Sequence, residues 1–214
     1  MAAIDATDAD SAIPAGCCSW RWREEQLVLL PDRGIWREAS RDLLVADLHL
    51  GKAEVFQAFG IPVPSDEDRG TLQRLKQICI TFNPDRLIIL GDLIHGRQGL
   101  TPRLMHDLAT LSERLGTNVL LVGGNHDRDL QMPVLPRTTA FRLGELWLSH
   151  EPEEGPDKAE LLNVCGHIHP AVTLRHGADR LRLPCFAFDK LEQRMLIPAF
   201  GELTGGHDCG DRYP

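Results

Sequence analysis

The sequence predicts an α/β fold in which two β-sheets pack together with helices outside. Three observations carry that reading. In the first half, short apolar runs alternate with helical patterns of apolar residues, as successive βα units do. In the second half, apolar runs follow one another with little helical pattern between them. Many of these runs end in aspartate, asparagine or histidine beside glycine, the position beyond a strand's carboxyl end where α/β proteins gather ligands.

The elements follow in chain order. Residues 1–16 are small, acidic and poorly patterned, a flexible tail ahead of a single domain over 17–214. "QLVLLP" and "RGIWREA" form a hairpin around Pro31–Gly34. "DLLVAD" is a buried strand ending at Asp47, after which Gly51 lets the chain turn. A loop with Pro62 and Pro64 leads to a helix over 66–80, capped by Ser65, with Leu72, Leu75 and Cys79 on one face. "RLIILGD" is the next strand. Thr101 caps a second helix with Pro102 in its first turn; Leu104, Leu108, Leu111 and Leu115 form its stripe and Gly116 stops it. "NVLLVGGNHD", "ELWLSHEP" and "LNVCGHIHP" are further strands, and "RLRLPCFAF" and "RMLIPAFG" are antiparallel strands closing the fold.

Composition excludes several classes. With 214 residues, 43% apolar and 25% charged, the chain reads as one ordinary globular domain. No apolar stretch reaches the roughly 18 residues of a membrane helix, and the acidic N-terminus lacks the pattern of a signal peptide, so a cytoplasmic protein is expected. None of the six cysteines makes a C-x-x-C pair; Cys79, Cys165 and Cys185 sit in apolar runs and read as reduced core residues. "TGGHDCGD", with His207 and Cys209, reads as a glycine-rich flexible tail rather than a metal site. A net charge of −8 argues against gripping nucleic acid by bulk electrostatics.

The chemistry lies in the strand-end groups: Asp47-Leu48-His49, Gly91-Asp92, Gly124-Asn125-His126-Asp127, His150, and Gly166-His167-Ile168-His169. Each alone reads as a turn or a satisfied histidine; five in succession, each after an apolar run, read as one site. Oxygen and imidazole donors without thiolate suit Mn²⁺, Fe, Co²⁺ or Zn²⁺. Period-two geometry along the strand would turn Asp47 and His49 to the same side.

This pattern, D-x-H, GD, GNH[DE], H and GHxH, resembles the calcineurin-like metallophosphoesterase superfamily over about residues 42–170. The resemblance implies a four-layer αββα sandwich, two mixed β-sheets flanked by helices. It implies that Asp47, His49, Asp92 and His169 hold one divalent ion, and Asp92, Asn125, His150 and His167 a second, with Asp92 the bridge. Manganese is the metal it implies. Two such ions about 3.5–4 Å apart acidify a water between them, so that it attacks phosphorus near neutral pH. His126 is by resemblance the general acid; Asp127 either orients its imidazole or holds the turn. His95, Arg97, Arg128 and Lys52 are candidate substrate or supporting contacts.

"LLVADLHLGKAEVFQAFGIPVP", "LIILGDLIHGR", "GGNHDR", "SHEP", "GHIHPAV" and "LRLPCFAF…LIPAFGELTGG" are similar to the PdeM-type branch, described as ligase-associated DNA-damage-response endonucleases, from about residue 24 to 212. That implies a metal-dependent phosphodiesterase or endonuclease acting on DNA in repair, functionally associated with a DNA ligase system. The intervals 127–149 and 151–166 are too short for a cap domain, which leaves the metal site open to a polymer or a small phosphodiester. Against DNA stand the acidic charge and the single tyrosine, Tyr213. A small-nucleotide phosphodiesterase or phosphatase, or a non-catalytic metal-binding scaffold, are the alternatives.

Overall fold

A computed structural model describes residues 14–64, 66–127, 135–157 and 160–210. Most of the expected tail, Ser65, Arg128 and Tyr213 lie outside them. The first sheet has seven strands in sequential order: β1 (Cys18–Trp22), β2 (Glu25–Leu29), β3 (Ile35–Arg37), β4 (Asp42–Val45), β5 (Arg86–Leu90), β6 (Asn118–Val122) and β7 (Arg137–Thr138). Neighbours are antiparallel as far as β4 and parallel beyond it. The expected hairpin at Pro31–Gly34 joins β2 to β3, closed by Leu30 N–H donating to Gly34 O at 2.8 Å.

Crossovers carry the helices: α1 (Lys52–Ala58) and α2 (Glu67–Phe82) between β4 and β5, α3 (Pro102–Ala109) and α4 (Leu111–Leu115) between β5 and β6. Strand side chains alternate between two cores. Leu43, Val45, Leu87, Ile89, Val119 and Leu121 face α2–α4 through Leu72, Leu75, Ile78, Leu104, Leu108 and Leu111. Leu44, Ile88, Leu90 and Val122 face the second sheet through Leu146, Leu148, Leu162, Val164 and Met195. Burial on both faces is why "LIIL" (87–90) is an unbroken apolar run rather than an alternating one.

The second sheet is also mixed, ordered β13 (Ala187–Asp189), β14 (Arg194–Leu196), β10 (Leu162–Cys165), β9 (Leu146–Leu148), β8 (Phe141–Leu143). Its far face, among the described residues, packs Cys165, Ala187 and Leu196 against Cys209 and Ile168. A third sheet joins β11 (Pro170–His176), β12 (Asp179–Pro184) and β15 (His207–Asp208).

Several local expectations change. Leu104, Leu108 and Leu111 of the leucine stripe are buried and Leu115 half-buried, and Thr101 Oγ1 accepts from Leu104 N–H at 3.1 Å, but the helix breaks at Thr110. The Thr110 hydroxyl bonds back to the His106 and Asp107 carbonyls, which competes with continuing the helix. "RLRLPCFAF" splits between β12 and β13 at Pro184, which has no N–H to donate. "TGGHDCGD" is not a loose tail: β15 pairs with β11, and Cys209 is buried. Strand β1 and helix α1 had no expectation. All described cysteines are free, with Cys79 and Cys165 buried and Cys185 half-buried. Among the described residues no helix is long and apolar enough to cross a membrane.

Candidate metal centre

The strands of the first sheet stop short of the donors. β4 ends at Val45, and beyond it the chain stays tied to the loop after β5: Asp47 N–H donates to Gly91 O at 3.2 Å, His49 N–H to Asp92 O at 2.9 Å, and Leu50 N–H to Leu93 O at 2.9 Å. Leu48 and Leu50 point into the core while Asp47 and His49 turn to the site. The alternation is the expected one, but strand pleat is not its cause. Asp47 (φ 55°) and His49 (φ 48°) are both left-handed, as are Asp92 (49°), His167 (65°) and His169 (51°). Non-glycine residues held there cost about 1–3 kcal/mol each, and such strain collects at functional sites.

These loops bring together every described residue expected as a ligand. Asp47, His49 and His169 form one group, with His49 Nε2 at 3.3 Å from His169 Nε2 and Asp47 Oδ1 at 3.4 Å from His169 Nε2. Asp92, His150 and His167 form another, with His150 Nε2 at 3.4 Å from Asp92 Oδ1 and 3.2 Å from His167 Nδ1. Asn125 Oδ1 joins the second group, 2.8 Å from His150 Nε2 and 3.0 Å from His167 Nδ1. Asp92 lies between the groups: one oxygen faces His150, and the other is 3.8 Å from His49 Nε2.

Backbone carbonyls set the imidazoles. A carbonyl only accepts, so the facing ring nitrogen carries the proton. His150 Nδ1–H donates to Leu90 O at 3.0 Å and His169 Nδ1–H to Gly205 O at 3.2 Å, which leaves both Nε2 atoms free to ligate. His126 Nδ1–H donates to the His95 carbonyl at 2.6 Å, and its ring stacks on His95 at 4.9 Å between centroids. The His126 backbone N–H donates to Asp92 Oδ1 at 3.0 Å, and its Nε2 lies 3.9 Å from Asp92 Oδ2.

The expectation that Asp127 orients His126 gives way to the turn role. The Asp127 carboxylate is buried and accepts from the backbone N–H groups of Gly124 (3.1 Å), Ile94 (3.2 Å) and Leu93 (3.4 Å). Burial raises its pKa, against those three hydrogen bonds. His95 Nδ1 lies 3.3 Å from His49 Nδ1, inside the site. Arg97 is exposed on the short turn Arg97–Gly99. The Lys52 ammonium sits over Phe56 at 5.7 Å; burial lowers its pKa, and its charge lowers those of His49 and His95.

Metal would fit these residues. Asp47 Oδ1 is buried without a hydrogen-bond donor, whereas Asp42, equally buried at the other end of the strands, is bonded by Arg86 Nε at 2.8 Å. An unpartnered buried carboxylate oxygen points to a missing cation. His49 is pushed down to about 2, first by burial and then by the neighbouring His169, Lys52, His95 and His126, so it is a neutral ring with a lone pair to give. His169 goes the other way: burial opposes its charge, but the negative charge of the adjacent Asp47 carboxylate overcomes that and raises its pKa. Space is reserved as well. A Cβ at Gly91 would collide with the His150 ring, and one at Gly166 with the Asp47 carboxylate. Donors sharing an ion at about 2.1 Å stand about 3.0–3.4 Å apart, close to the separations within each group.

One contributor escaped the sequence reading of the site. In "PAFGELTGG", Phe200 N–H donates to Ala46 O at 2.8 Å, Gly201 N–H to Asp47 O at 3.1 Å, and the Gly205 carbonyl holds His169. The segment braces the Asp47 loop through its backbone, which residue identity does not advertise.

The sequence profile described as "Calcineurin-like phosphoesterase" matches residues 41–193. Among solved structures, the Pseudomonas putida nuclease MPE is 35% identical, with 90% of each chain covered and a TM-score of 0.74. Yfce, a phosphoesterase from E. coli, is 20% identical, covering 78% of this chain and 83% of its own, at a TM-score of 0.43. AQ665 from Aquifex aeolicus, described as a protein of unknown function, is 17% identical, covering 60% of this chain and 78% of its own, at 0.44. No curated protein matches. With most of the chain inside the family profile and a relative of this identity along nearly its whole length, the chain belongs to the calcineurin-like phosphoesterase family.

Proposed function

We propose that the protein is a binuclear metal-dependent phosphodiesterase that cleaves DNA as a repair endonuclease in the cytoplasm, with manganese as its metal. The observation that carries the binuclear part is Asp92: its two oxygens face two separate donor groups. The nuclease likeness supports a nucleic-acid substrate. When bound, the ion pair supplies Lewis acidity toward phosphoryl oxygens and a water acidic enough to attack near neutral pH. The chain's own residues do the rest. Asp47, His49 and His169 hold one ion, Asn125, His150 and His167 the other, and Asp92 both. His126, held through Nδ1 by the His95 carbonyl, presents Nε2 to the site and, when protonated there, delivers that proton to the leaving oxygen. Asp127 fixes the loop that carries Asn125 and His126.

The acidic net charge of −8 favours a second reading, a small-nucleotide phosphodiesterase or phosphatase using the same centre. Turnover with manganese on supercoiled, nicked and single-stranded DNA, against a cyclic nucleotide and an aryl phosphodiester, separates the two. Nicking of the supercoiled circle supports the endonuclease; turnover of small diesters alone overturns it.

A further inference from the structure

The hairpin β11–β12 leaves the metal centre directly, since β11 begins at the residue after His169. Cross-strand pairing sorts its side chains. Thr173 pairs with Arg182 and Arg175 with Arg180 on one face; Val172 pairs with Leu183 and Leu174 with Leu181 on the other. All of β12 is exposed, as are Leu174, Arg175 and His176. Arg175 and Arg180 stand directly opposite each other, an arrangement of like charges that costs stability unless an anion offsets it. The only carboxylate on this face among the described residues of the sheet is Asp208, which the Thr173 hydroxyl engages and which interacts with Arg182 and Arg175, so one negative charge stands against three arginines; Asp179 pairs with His176 on the leucine side. In a chain with 31 acidic against 23 basic residues, a solvent-facing surface with three arginines is a local reversal of sign. A cleft of about 310 Å³ connects it to the centre, lined by His169, Arg182, Gly205 and the Arg33–Glu202 ion pair, with Arg182 donating to the Gly206 carbonyl. Edge-strand protection would also favour charge here, but it does not require segregation to one face, nor leucines exposed by 51% and 56% on the other.

We propose that the basic face of this hairpin, Arg175, Arg180 and Arg182, is a phosphate-binding arm that carries a nucleic-acid strand away from the metal centre. This rests on the nucleic-acid reading of that centre. At about 3.3 Å per residue, Arg175 lies about 20 Å along the chain from His169. That is the axial length of about six phosphates of one duplex strand. Binding is through the backbone, so it is independent of base sequence.

The test compares wild type, Arg175→Gln/Arg180→Gln and Arg175→Lys/Arg180→Lys as manganese-loaded full-length protein. KM and kcat are read on a DNA oligonucleotide and on a small aryl phosphodiester over a series of KCl concentrations. The glutamine variant is expected to raise KM for DNA about tenfold, to lower the ratio of DNA to small-diester turnover, and to flatten the salt slope of kcat/KM on DNA by about 2, one unit per lost phosphate contact. The lysine variant is expected to retain the wild-type slope. Wild-type DNA turnover with an unaltered slope and KM in the glutamine variant overturns the arm and leaves the nuclease reading standing. Small-diester turnover with no DNA turnover by wild type overturns both.

Discussion

Asp127 is a buried carboxylate in the middle of the metal centre's motifs whose partners are backbone groups. It follows the proposed acid His126 in the chain, yet its oxygens are taken by three backbone N–H groups, two of them from the loop after β5. Removing it strands those donors, and each unsatisfied buried group costs about 1–3 kcal/mol. Asp127→Ala is therefore expected to lose about 3 kcal/mol or more in urea denaturation; a loss under about 0.5 kcal/mol contradicts this assignment. For His126, an acid role predicts selectivity rather than general damage. His126→Ala should slow an alkyl phosphodiester by about 10²–10⁴ and a nitrophenyl diester far less, because the second leaving group needs no proton. Equal loss on both contradicts the role. The motifs made the donor types legible, because metal chemistry demands those atoms. The partners of Asp127 and His126 were not legible, because they are peptide groups, all but that of Gly124 about thirty residues away in the chain.

At the level of elements, the centre depends on loops held in left-handed backbone at Asp47, His49, Asp92, His167 and His169. Strand ends could be read from apolar runs; their left-handed exits could not, since all five positions carry ordinary side chains. Helix α1 was missed because its seven residues bury only Ala53 and Val55, too little to make a period. Its start is fixed from α2: the Asp68 carboxylate accepts from Gly51 N–H at 2.8 Å. Burial first, then the charges of Glu54, Asp107 and Glu67, raise the Asp68 pKa to about 6, while the Gly51 bond opposes them. Between its ordinary value and about 6 the folded protein binds more protons here than the unfolded chain. The stability from this group is present below the ordinary carboxylate range and is lost as pH rises through about 6. Asp68→Asn carries no such charge at any pH. Its Tm relative to wild type should be more favourable at about pH 7.5 than at about pH 4, and the same difference at both contradicts the raised pKa.

Across the whole molecule, the first sheet is the shared wall of two cores, one with the helices and one with the second sheet. That wall was legible because strands buried on both faces must be continuously apolar. The third sheet was legible only in part: "RLRLP" read as an antiparallel strand and is one, but β15 lies in a glycine-rich stretch whose pairing to β11 is settled by tertiary contact. The two sheets bring their loops to one edge, the first supplying Asp47, His49, Asp92 and Asn125, the second His150, His167 and His169. Neither sheet alone carries a complete donor set, which makes the centre a property of their packing. The direct measurement is anomalous scattering at the manganese edge from crystals grown with that metal. Two peaks about 3.5–4 Å apart are predicted, with the Asp92 carboxylate between them, one beside Asp47, His49 and His169 and the other beside Asn125, His150 and His167. A single peak, or an Asp92 carboxylate touching only one of two ions, contradicts the account.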